Sequence, residues 1–176
     1  MSSSRPFADN LAEMNIAPIA VSYEYEPCDA LKTQEVYLLR KNGTYTKTAN
    51  EDLNSIVTGI RQFKGRISYT FCPPITETEL ASCQEAPHKE RFRLLAEIID
   101  RRIYSGYRLF KTNYMAYDLL EGTHRFTQQY SDEDLKEFIA YTDERTSSLE
   151  GDRGELRNIF LGIYANPVRN CIDNNI

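Results

Sequence analysis

The chain has 176 residues, of which 41% are hydrophobic and 27% are charged, a composition that suits a folded domain with a sizeable core and excludes a disordered chain. Its 21 basic and 26 acidic residues give a formal net charge of -5. This balance excludes a global positive field that would favour nucleic acid or anionic lipid, and it leaves a local basic patch open.

The first predicted element is a strand within residues 16–25, where larger side chains alternate with smaller or polar ones. This period-two pattern is typical of a strand that packs on one face and is crowded on the other, and it requires sheet neighbours on both sides. Pro18 has no backbone donor and is expected near the strand start. The acidic and aromatic residues from Tyr23 to Asp29 follow the carboxyl end, where ligands bind in open α/β sheets. The larger residues are Ala17, Ile19, Val21, Tyr23 and Tyr25.

Four helix starts are indicated by an N-cap oxygen three residues before a carboxylate. Asp29 is interpreted as a further N-cap, and Lys47 with Asp52 as an exposed charge pair. The helix opened by the first start has a one-sided apolar stripe, formed by Leu53, Ile56, Val57 and Ile60, and is predicted to end at Lys64 and Gly65. The four starts are Thr48 with Glu51, Thr76 with Glu79, Ser131 with Asp134, and Asp152 with Glu155.

A second strand is predicted over residues 66–72, because Ile67, Tyr69 and Phe71 alternate with polar residues before two prolines. The rest of the chain has helical periodicity. It includes a short helix closed by Gly122 and a last helix that is predicted to end at Pro167.

These elements predict a helix-rich α/β chain with a βαβ-like N-terminal unit, in which two strands near 16–25 and 66–72 flank mostly helical sequence, followed by an all-helical C-terminal part. A right-handed crossover is expected if the two strands are parallel. Two strands make a poor sheet on their own, and exposed edges invite pairing with another chain. The chain is therefore interpreted as a fragment of a larger fold.

Several short runs follow one another in a fixed order over nearly the whole chain. They are residues 16–29, Lys47 and Thr48 with Asp52 and Leu53, Gly59, the run K-G-R at residues 64–66 continuing to Ile75, the run N-Y-M-A-Y-D-L-L at residues 113–120, and I-Y-A-N-P-V at residues 163–168. In this order they resemble the C-terminal half of bacterial glycerolipid acyltransferases, with the closest likeness to the 1-acylglycerol-3-phosphate type found in Bacteroidetes.

The resemblance implies that A-P-I-A-V at residues 17–21 is the last of four sequence blocks lining an active site, with the other three upstream. It implies acyl transfer in phospholipid biosynthesis, from acyl-CoA or an acyl-carrier protein as co-substrate to a lysophospholipid-like hydroxyl, without a cofactor. Pro18, Tyr23, Glu24 and Tyr25 are candidate substrate-binding residues, although the same residues are typical of a strand end with one wet face. Residues 1–75 would then be the C-terminal part of the acyltransferase α/β domain, and residues 76–176 a helical extension packed on it.

The catalytic residues of that family are not found in this sequence. Its first block has the spacing H-x-x-x-x-D, in which the histidine removes the proton of the acceptor hydroxyl and the aspartate orients the imidazole. Five residues after His88 stands Arg93, and five after His124 stands Gln129. No catalytic residue is therefore predicted, and the chain is interpreted as a truncated or split enzyme that is inactive alone.

The run at residues 121–125 is superficially similar to another sequence block of the family, the one that binds the acceptor phosphate. Glu121, Gly122, Thr123, His124 and Arg125 superficially match the Glu-Gly-Thr-Arg run that binds the acceptor phosphate, but they follow the proline strand instead of preceding it. The role of Gly122 as a helix C-cap is sufficient to explain the run. His88, beside a charged stretch, is interpreted as a surface residue.

The remaining expectations concern cell compartment, metals and partners. The cysteines show no C-x-x-C spacing, which favours reduced thiols in the cytoplasm and argues against a metal site. No apolar run reaches the roughly 20 residues that span a bilayer, so membrane contact, at the inner face, would be peripheral. The partners would be the acyl donor, the acceptor and an N-terminal half or a second copy, with no nucleic acid. A non-catalytic binding or assembly module derived from the same family is the alternative. The cysteines are Cys28, Cys72, Cys83 and Cys171.

Overall fold

The computed structural model describes residues 6–176, and its elements are mostly helical, as the sequence predicts. In chain order they are α1 (Phe7–Ala12), β1 (Ile19–Tyr23), α2 (Asp29–Asn42), α3 (Glu51–Arg61), β2 (Ile67–Phe71), α4 (Glu77–Glu85), α5 (Arg91–Ser105), α6 (Lys111–Glu121), a 3-10 turn (Thr127–Gln129), α7 (Asp132–Ser147) and α8 (Arg153–Asp173). The helix-rich α/β fold with two strands near the predicted positions is thereby confirmed.

The two strands pair with each other in antiparallel orientation. The amide of Cys72 donates to the carbonyl of Pro18 at 2.9 Å, and at the other end the amide of Glu24 donates to the carbonyl of Arg66 at 2.9 Å. A right-handed crossover is a property of parallel strands and does not apply here. Within residues 6–176 β1 has β2 as its one neighbour, so the expectation of neighbours on both sides is not met.

The chain divides into two compact units, and the boundary between them runs through both strands. Unit 1 consists of Met1–Ser22, described from residue 6, with Ser68–Arg108 and Asp173–Ile176. Unit 2 consists of Tyr23–Ile67 and Leu109–Ile172. The assignment of residues 1–75 and 76–176 to two parts of an acyltransferase stays a prediction.

The core of unit 1 lies among α1, α4 and α5. Its fully buried members are Leu11, Ile75, Leu80, Cys83 and Leu95. Burial of such side chains contributes about 1.5–3 kcal/mol each, so this small cluster is the main apolar stabilisation of the unit.

The sheet in unit 1 exposes the side chains that the alternating pattern predicts to be packed. Val21 on β1 is 40% exposed, and Tyr69 and Phe71 on β2 are 61% and 80% exposed, whereas Ala20 is buried. A Cβ added to Gly106 at the end of α5 would lie 2.9 Å from the Cβ of Ala20. The prediction is wrong in its choice of face, because α5 comes so close to the sheet that only small residues fit between them.

The core of unit 2 lies between α6, α7 and α8 and is rich in aromatic rings. Phe138 and Tyr164 meet edge to face with their ring centres 5.5 Å apart, a favoured aromatic geometry. The buried cluster consists of Met115, Ala116, Phe138, Phe160, Leu161, Tyr164 and Ala165.

The last helix does not end at Pro167, as the sequence predicts, but continues to Asp173 with the proline inside it. A proline within a helix costs about 3 kcal/mol, because it removes one backbone hydrogen bond and crowds the preceding turn. Ala165 and Val168, on either side of Pro167, are both buried. We attribute the continuation to this packing, which offsets the cost of the proline.

The predicted helix starts are confirmed where the cap is local. Capping boxes form at Thr76 with Glu79 and at Ser131 with Asp134, and Asp152 Oδ1 accepts from the amide of Glu155 at 2.8 Å. Two other helix ends differ from the prediction. At the start of α3 the N-cap is Asn50, in a left-handed conformation, although Glu51 still accepts from the amide and hydroxyl of Thr48. At its other end α3 stops at Arg61. Gly65 has the expected left-handed conformation but lies beyond the helix.

Arg102 on α5 ties the chain that follows β2 to α4. Its guanidinium donates to the carbonyls of Pro73 and Pro74 and forms two hydrogen bonds with the Glu79 carboxylate, at 2.8 and 2.9 Å. The hydrogen bond from Arg102 lowers the pKa of Glu79 from its usual 4.5 to about 2. The carboxylate is therefore ionised in the folded unit at any pH well above 2.

Replacing Glu79 with glutamine is expected to lower the free energy of unfolding by about 1 kcal/mol at neutral pH, because it removes a charge-assisted hydrogen-bonded pair. A lowered pKa gives stability that is present above the unfolded value of 4.5 and is lost as the pH falls towards about 2. Urea unfolding of both proteins between pH 7 and pH 2.5 should show the difference shrinking below pH 4.5. A difference that is constant over this range would contradict the assignment.

Candidate functional site

The segment Tyr23–Asp29, which begins at the last residue of β1, lies in unit 2 and is held by backbone and side-chain hydrogen bonds. The amides of Glu24 and Tyr25 donate to the carbonyls of Arg66 and Lys64, at 2.9 and 3.0 Å. The hydroxyl of Thr112 donates to the carbonyl of Glu24 at 2.7 Å. We call Tyr23–Asp29 the post-strand segment. Its backbone is fixed at several points, which suits a site that must hold side chains in place.

The carboxylate of Glu24, a predicted substrate-binding residue, is hydrogen-bonded to Arg66. The guanidinium donates from Nη2 to Oε1 at 2.8 Å and from Nε to Oε2 at 3.1 Å, and the Arg66 amide donates to Oε2 at 2.9 Å. The hydrogen bonds from Arg66 lower the pKa of Glu24. Glu24 is thus an ionised partner of Arg66 and no general base. The exposed guanidinium, whose carbon lies 5.1 Å from the centre of the Phe110 ring, is the group at this point that a ligand can reach.

Gly65 makes this pair possible. It adopts a φ of 60°, in the left-handed region, and a Cβ at this position would lie 2.6 Å from Glu24 Oε2. Only glycine combines that backbone conformation with the close approach of the carboxylate. Sequence reasoning names Lys64, Gly65 and Arg66 in the family likeness but assigns no role to Arg66. A glycine directly before a basic residue at a strand start is the signal that could have identified it.

The other three predicted site residues differ in their surroundings. Tyr25 is half-buried, with its ring centre 5.5 Å from that of Phe63 and 4.9 Å from that of Tyr141, and burial raises the pKa of its hydroxyl. Tyr23 is also half-buried. Pro18 lies in unit 1, where it is buried and its carbonyl accepts from Cys72. Their proposed contacts with a substrate stay predictions.

Asp29 is the first residue of α2, not its N-cap, and it is completely buried. Its Oδ1 accepts from the Ala30 amide at 2.7 Å and from Nε and Nη2 of Arg145 at 2.9 and 2.6 Å. Its Oδ2 accepts from the hydroxyls of Tyr141 and Tyr164, at 2.6 and 2.8 Å. The prediction was wrong because an N-cap aspartate is exposed and satisfied locally, whereas this carboxylate is held by helices more than a hundred positions away.

The Asp29 network extends to the post-strand segment. The Tyr164 hydroxyl, which donates to Asp29, also accepts from the amide of Glu26 at 3.0 Å. Burial and the neighbouring carboxylate raise the pKa values of Tyr141 and Tyr164, so both hydroxyls stay protonated. Five donors leave the carboxylate no free lone pair for a substrate, so the network positions the segment and does not react. The spacing of Tyr141 and Arg145, four apart on one helix face, is the sequence signal that could have revealed it.

The two histidines lie at the surface and outside the post-strand segment. His88 and His124 are both exposed. Gly122 is the left-handed C-cap of α6, as predicted, and the following loop is held by the Asp118 carboxylate, which accepts from the amides of Arg125 and Phe126. It also accepts from the hydroxyls of Thr123 and Tyr130, at 2.6 and 2.8 Å. This arrangement gives the loop a structural role.

A cavity of about 540 Å³ lies within unit 1, beside the end of β2. The guanidinium of Arg102 at its wall is already bonded to Glu79 and two carbonyls, so the exposed polar groups are those of Arg101 and Ser105. The apolar walls are formed mainly by Phe71, Cys72, Pro73 and Ile98. The described residues show no group of three or more histidine, cysteine, aspartate or glutamate side chains that could hold a metal ion.

Comparison with known proteins yields no family model, no curated protein and no solved structure that matches the chain. Among residues 6–176, every helix is too short or too polar to cross a bilayer.

Replacing Asp29 with asparagine is expected to lower the free energy of unfolding by about 3–5 kcal/mol, because Arg145 would keep a partly buried charge without its partner. Urea unfolding followed by circular dichroism measures the change. Asp52→Asn is the matched control, since Asp52 forms an exposed pair with Lys47 at 2.6 Å and its loss should change stability little. Equal effects of the two substitutions would refute the anchoring role of Asp29.

Proposed function

We propose that the chain is part of an acyltransferase that transfers an acyl group from acyl-CoA or an acyl-carrier protein to the hydroxyl of a lysophospholipid-like acceptor. The ordered sequence resemblance supports this, with its post-strand segment and its run K-G-R at residues 64–66. In the reaction the acceptor oxygen attacks the thioester carbonyl and an ester bond forms. The carbon–sulfur bond breaks with its electron pair on sulfur, and the hydroxyl proton passes through the base to the departing thiolate, which leaves as the thiol.

The ordered resemblance is the observation that carries acyl transfer, and the exposed sheet face of unit 1 supports the part of the proposal in which a further portion of the enzyme packs on this chain. Ile19, Val21, Tyr69 and Phe71 lie on that face and are 40–80% exposed. Contiguous apolar faces of this kind mark interaction sites in soluble proteins. In the proposed enzyme this face packs against the portion that carries the catalytic histidine and aspartate.

The described contacts support the absence of a base within this chain. Neither histidine has a carboxylate five residues later in the sequence, and both are exposed. Glu24 is an ionised partner of Arg66, and the Asp29 carboxylate already accepts from Arg145, two tyrosine hydroxyls and a backbone amide, so neither is free to remove a proton in the role of the histidine. The chain alone is therefore proposed to be inactive, and the base comes from a second polypeptide segment.

The post-strand segment would line the acceptor side of the cleft. Arg66 is held by Glu24, and it presents an exposed guanidinium with the planar geometry that binds phosphate. Tyr23 and Tyr25 would supply an apolar body with a polar tip beside it. Glu24 acts here by positioning Arg66 and does not contact the phosphate.

A non-catalytic assembly module is the second candidate function, and the same exposed sheet face favours it. β1 and β2 each have one neighbour among the described residues, so both outer edges can pair with another chain. Light scattering distinguishes a monomer from such an assembly.

The test measures thiol release from acyl-CoA with a lysophosphatidic acid acceptor. The chain alone should release none, whereas its mixture with the H-x-x-x-x-D-bearing portion of a Bacteroidetes enzyme of this type should show acceptor-dependent release. Arg66→Lys keeps the charge but loses the paired geometry, and it should raise the KM for the acceptor about tenfold with little change in kcat. Replacing His88 and His124 with alanine should have no effect.

Acceptor-dependent release by the chain alone would contradict the claim that the base is missing. A stable complex without any release would favour the assembly module instead.

A further inference from the structure

The helix α3 in unit 2 exposes its large apolar side chains to solvent, whereas an ordinary amphipathic helix buries them. Ser55 and Gly59 lie on its inner side, where the Cys28 thiol donates to the Ser55 carbonyl at 3.5 Å and a Cβ on Gly59 would lie 3.7 Å from the Cys28 sulfur. In a soluble helix the large apolar residues face the core and the polar ones face water. Here small residues face the unit and the large apolar ones face outward.

The outward side of α3 and of the turn after it carries four large apolar side chains, which we call the α3 stripe. Their exposed fractions are 60% for Leu53, 59% for Ile56, 73% for Ile60 and 71% for Phe63. Phe63 also contacts the ring of Tyr25. The stripe thus begins on a free helix surface and ends beside the post-strand segment.

Two cations flank the stripe at its Phe63 end. Arg61 and Lys64 form no ion pair within residues 6–176; the ammonium of Lys64 donates to the carbonyls of Ile60 and Gln62 at 3.1 and 2.9 Å. At the opposite end Asp52 is neutralised by Lys47. Glu51, at the same end as Asp52, accepts from the Tyr45 hydroxyl and from Thr48, so the positive charge beside the stripe lies at its Phe63 end, in a chain whose net charge is -5.

We propose that the α3 stripe inserts into the headgroup region of a bilayer that contains anionic lipid, with Arg61 and Lys64 on the lipid phosphates. Large apolar side chains bordered by basic residues are the pattern of helices that lie in a membrane interface. Four partly exposed side chains of this size offer on the order of 100 Å² each, well below the roughly 800 Å² per partner of a stable protein interface. Area and charge both favour a membrane over a second copy of the chain.

If the proposed function is correct, insertion of the α3 stripe would bring the substrate-binding residues to the membrane. Phe63 touches Tyr25, so an inserted stripe would place the post-strand segment at the membrane surface, where a lysophospholipid acceptor resides. This part of the inference rests on the proposed function, whereas membrane binding itself is measured without any acyl transfer.

The experiment is flotation of the purified chain with phosphatidylcholine vesicles, with and without phosphatidylglycerol. The chain should bind the anionic vesicles, and added salt should weaken the binding. Ile56→Gln with Ile60→Gln should weaken it by about tenfold for each residue, because each removes a large apolar side chain from the interface. Arg61→Gln with Lys64→Gln should weaken it by about fivefold for each cation and reduce the salt dependence.

The matched control is Val21→Gln with Tyr69→Gln, which removes two exposed apolar side chains from the sheet face of unit 1. Vesicle binding of this variant should equal that of the parent chain. Thermal unfolding should change little in the apolar variants, whose altered side chains are exposed, and slightly more in the Arg61 and Lys64 variant, because Lys64 is half-buried and donates to two carbonyls.

Three outcomes would overturn the inference: no binding to anionic vesicles, an equal loss of binding in the sheet-face control, or an Ile56 and Ile60 variant that binds vesicles normally but converts a dimer to a monomer. A failed acyl-transfer assay with intact vesicle binding would instead count against the proposed function and leave the membrane contact standing.

Discussion

The carboxylate of Asp29 is completely buried in unit 2, and five donors from three helices converge on its two oxygens. A buried charge loses its hydration, and it is tolerated only where hydrogen bonds and an opposite charge replace that hydration. Arg145 supplies the charge, and the two tyrosines and the Ala30 amide supply the remaining bonds. Because the donors come from α2, α7 and α8, this one group joins helices that the sequence places far apart.

The post-strand segment depends on the same group. Tyr164 connects the Asp29 carboxylate to the Glu26 amide, so the position of α8 and the course of the chain after β1 are coupled. The Glu24 and Arg66 pair then fixes the earlier part of the segment against the start of β2. An exposed guanidinium therefore stands on a support whose polar groups are all satisfied, which is the arrangement expected of a group that must be held ready for a ligand.

Local signals in the sequence predicted the features that are determined locally. The capping boxes at Thr76 and Ser131 and the glycine cap at Gly122 depend on residues within one turn, and all three are confirmed. Asp29 and Pro167 were misjudged because distant packing decides both. A carboxylate before a helix has the same sequence pattern whether water or a distant arginine satisfies it, and a proline stops a helix only where tertiary contacts do not compensate for it.

The apolar patterns of β1 and α3 show a different limit of prediction from sequence, which concerns the side of an element that is buried. Periodicity correctly places Val21 with Ile19 on one face of β1, and Ile56 with Ile60 on one face of α3. Periodicity groups residues on a face but does not determine which face meets the core. That choice rests on the usual burial of large apolar residues, and both elements depart from it. In β1 the close approach of Gly106 admits only a small residue, Ala20, on the inner side, and in α3 the inner side is formed by the small residues Ser55 and Gly59 beside Cys28. Of the predicted site, the strand and its acidic end are where the sequence placed them, whereas Arg66 and the Asp29 network emerge only from three-dimensional contacts.

The hydrogen bonds of Asp118 to the loop between Gly122 and Tyr130 limit how the sequence of this loop can change during evolution. Two of the four groups that its carboxylate accepts from are backbone amides, at Arg125 and Phe126, and every amino acid except proline carries such an amide. Side chains at these two positions can therefore change freely as far as the carboxylate is concerned. Insertion or deletion of a residue between Gly122 and Tyr130 would shift the amides away from it. As far as this carboxylate is concerned, related sequences should vary at positions 125 and 126, retain hydroxyl groups at positions 123 and 130, and keep the length of the loop.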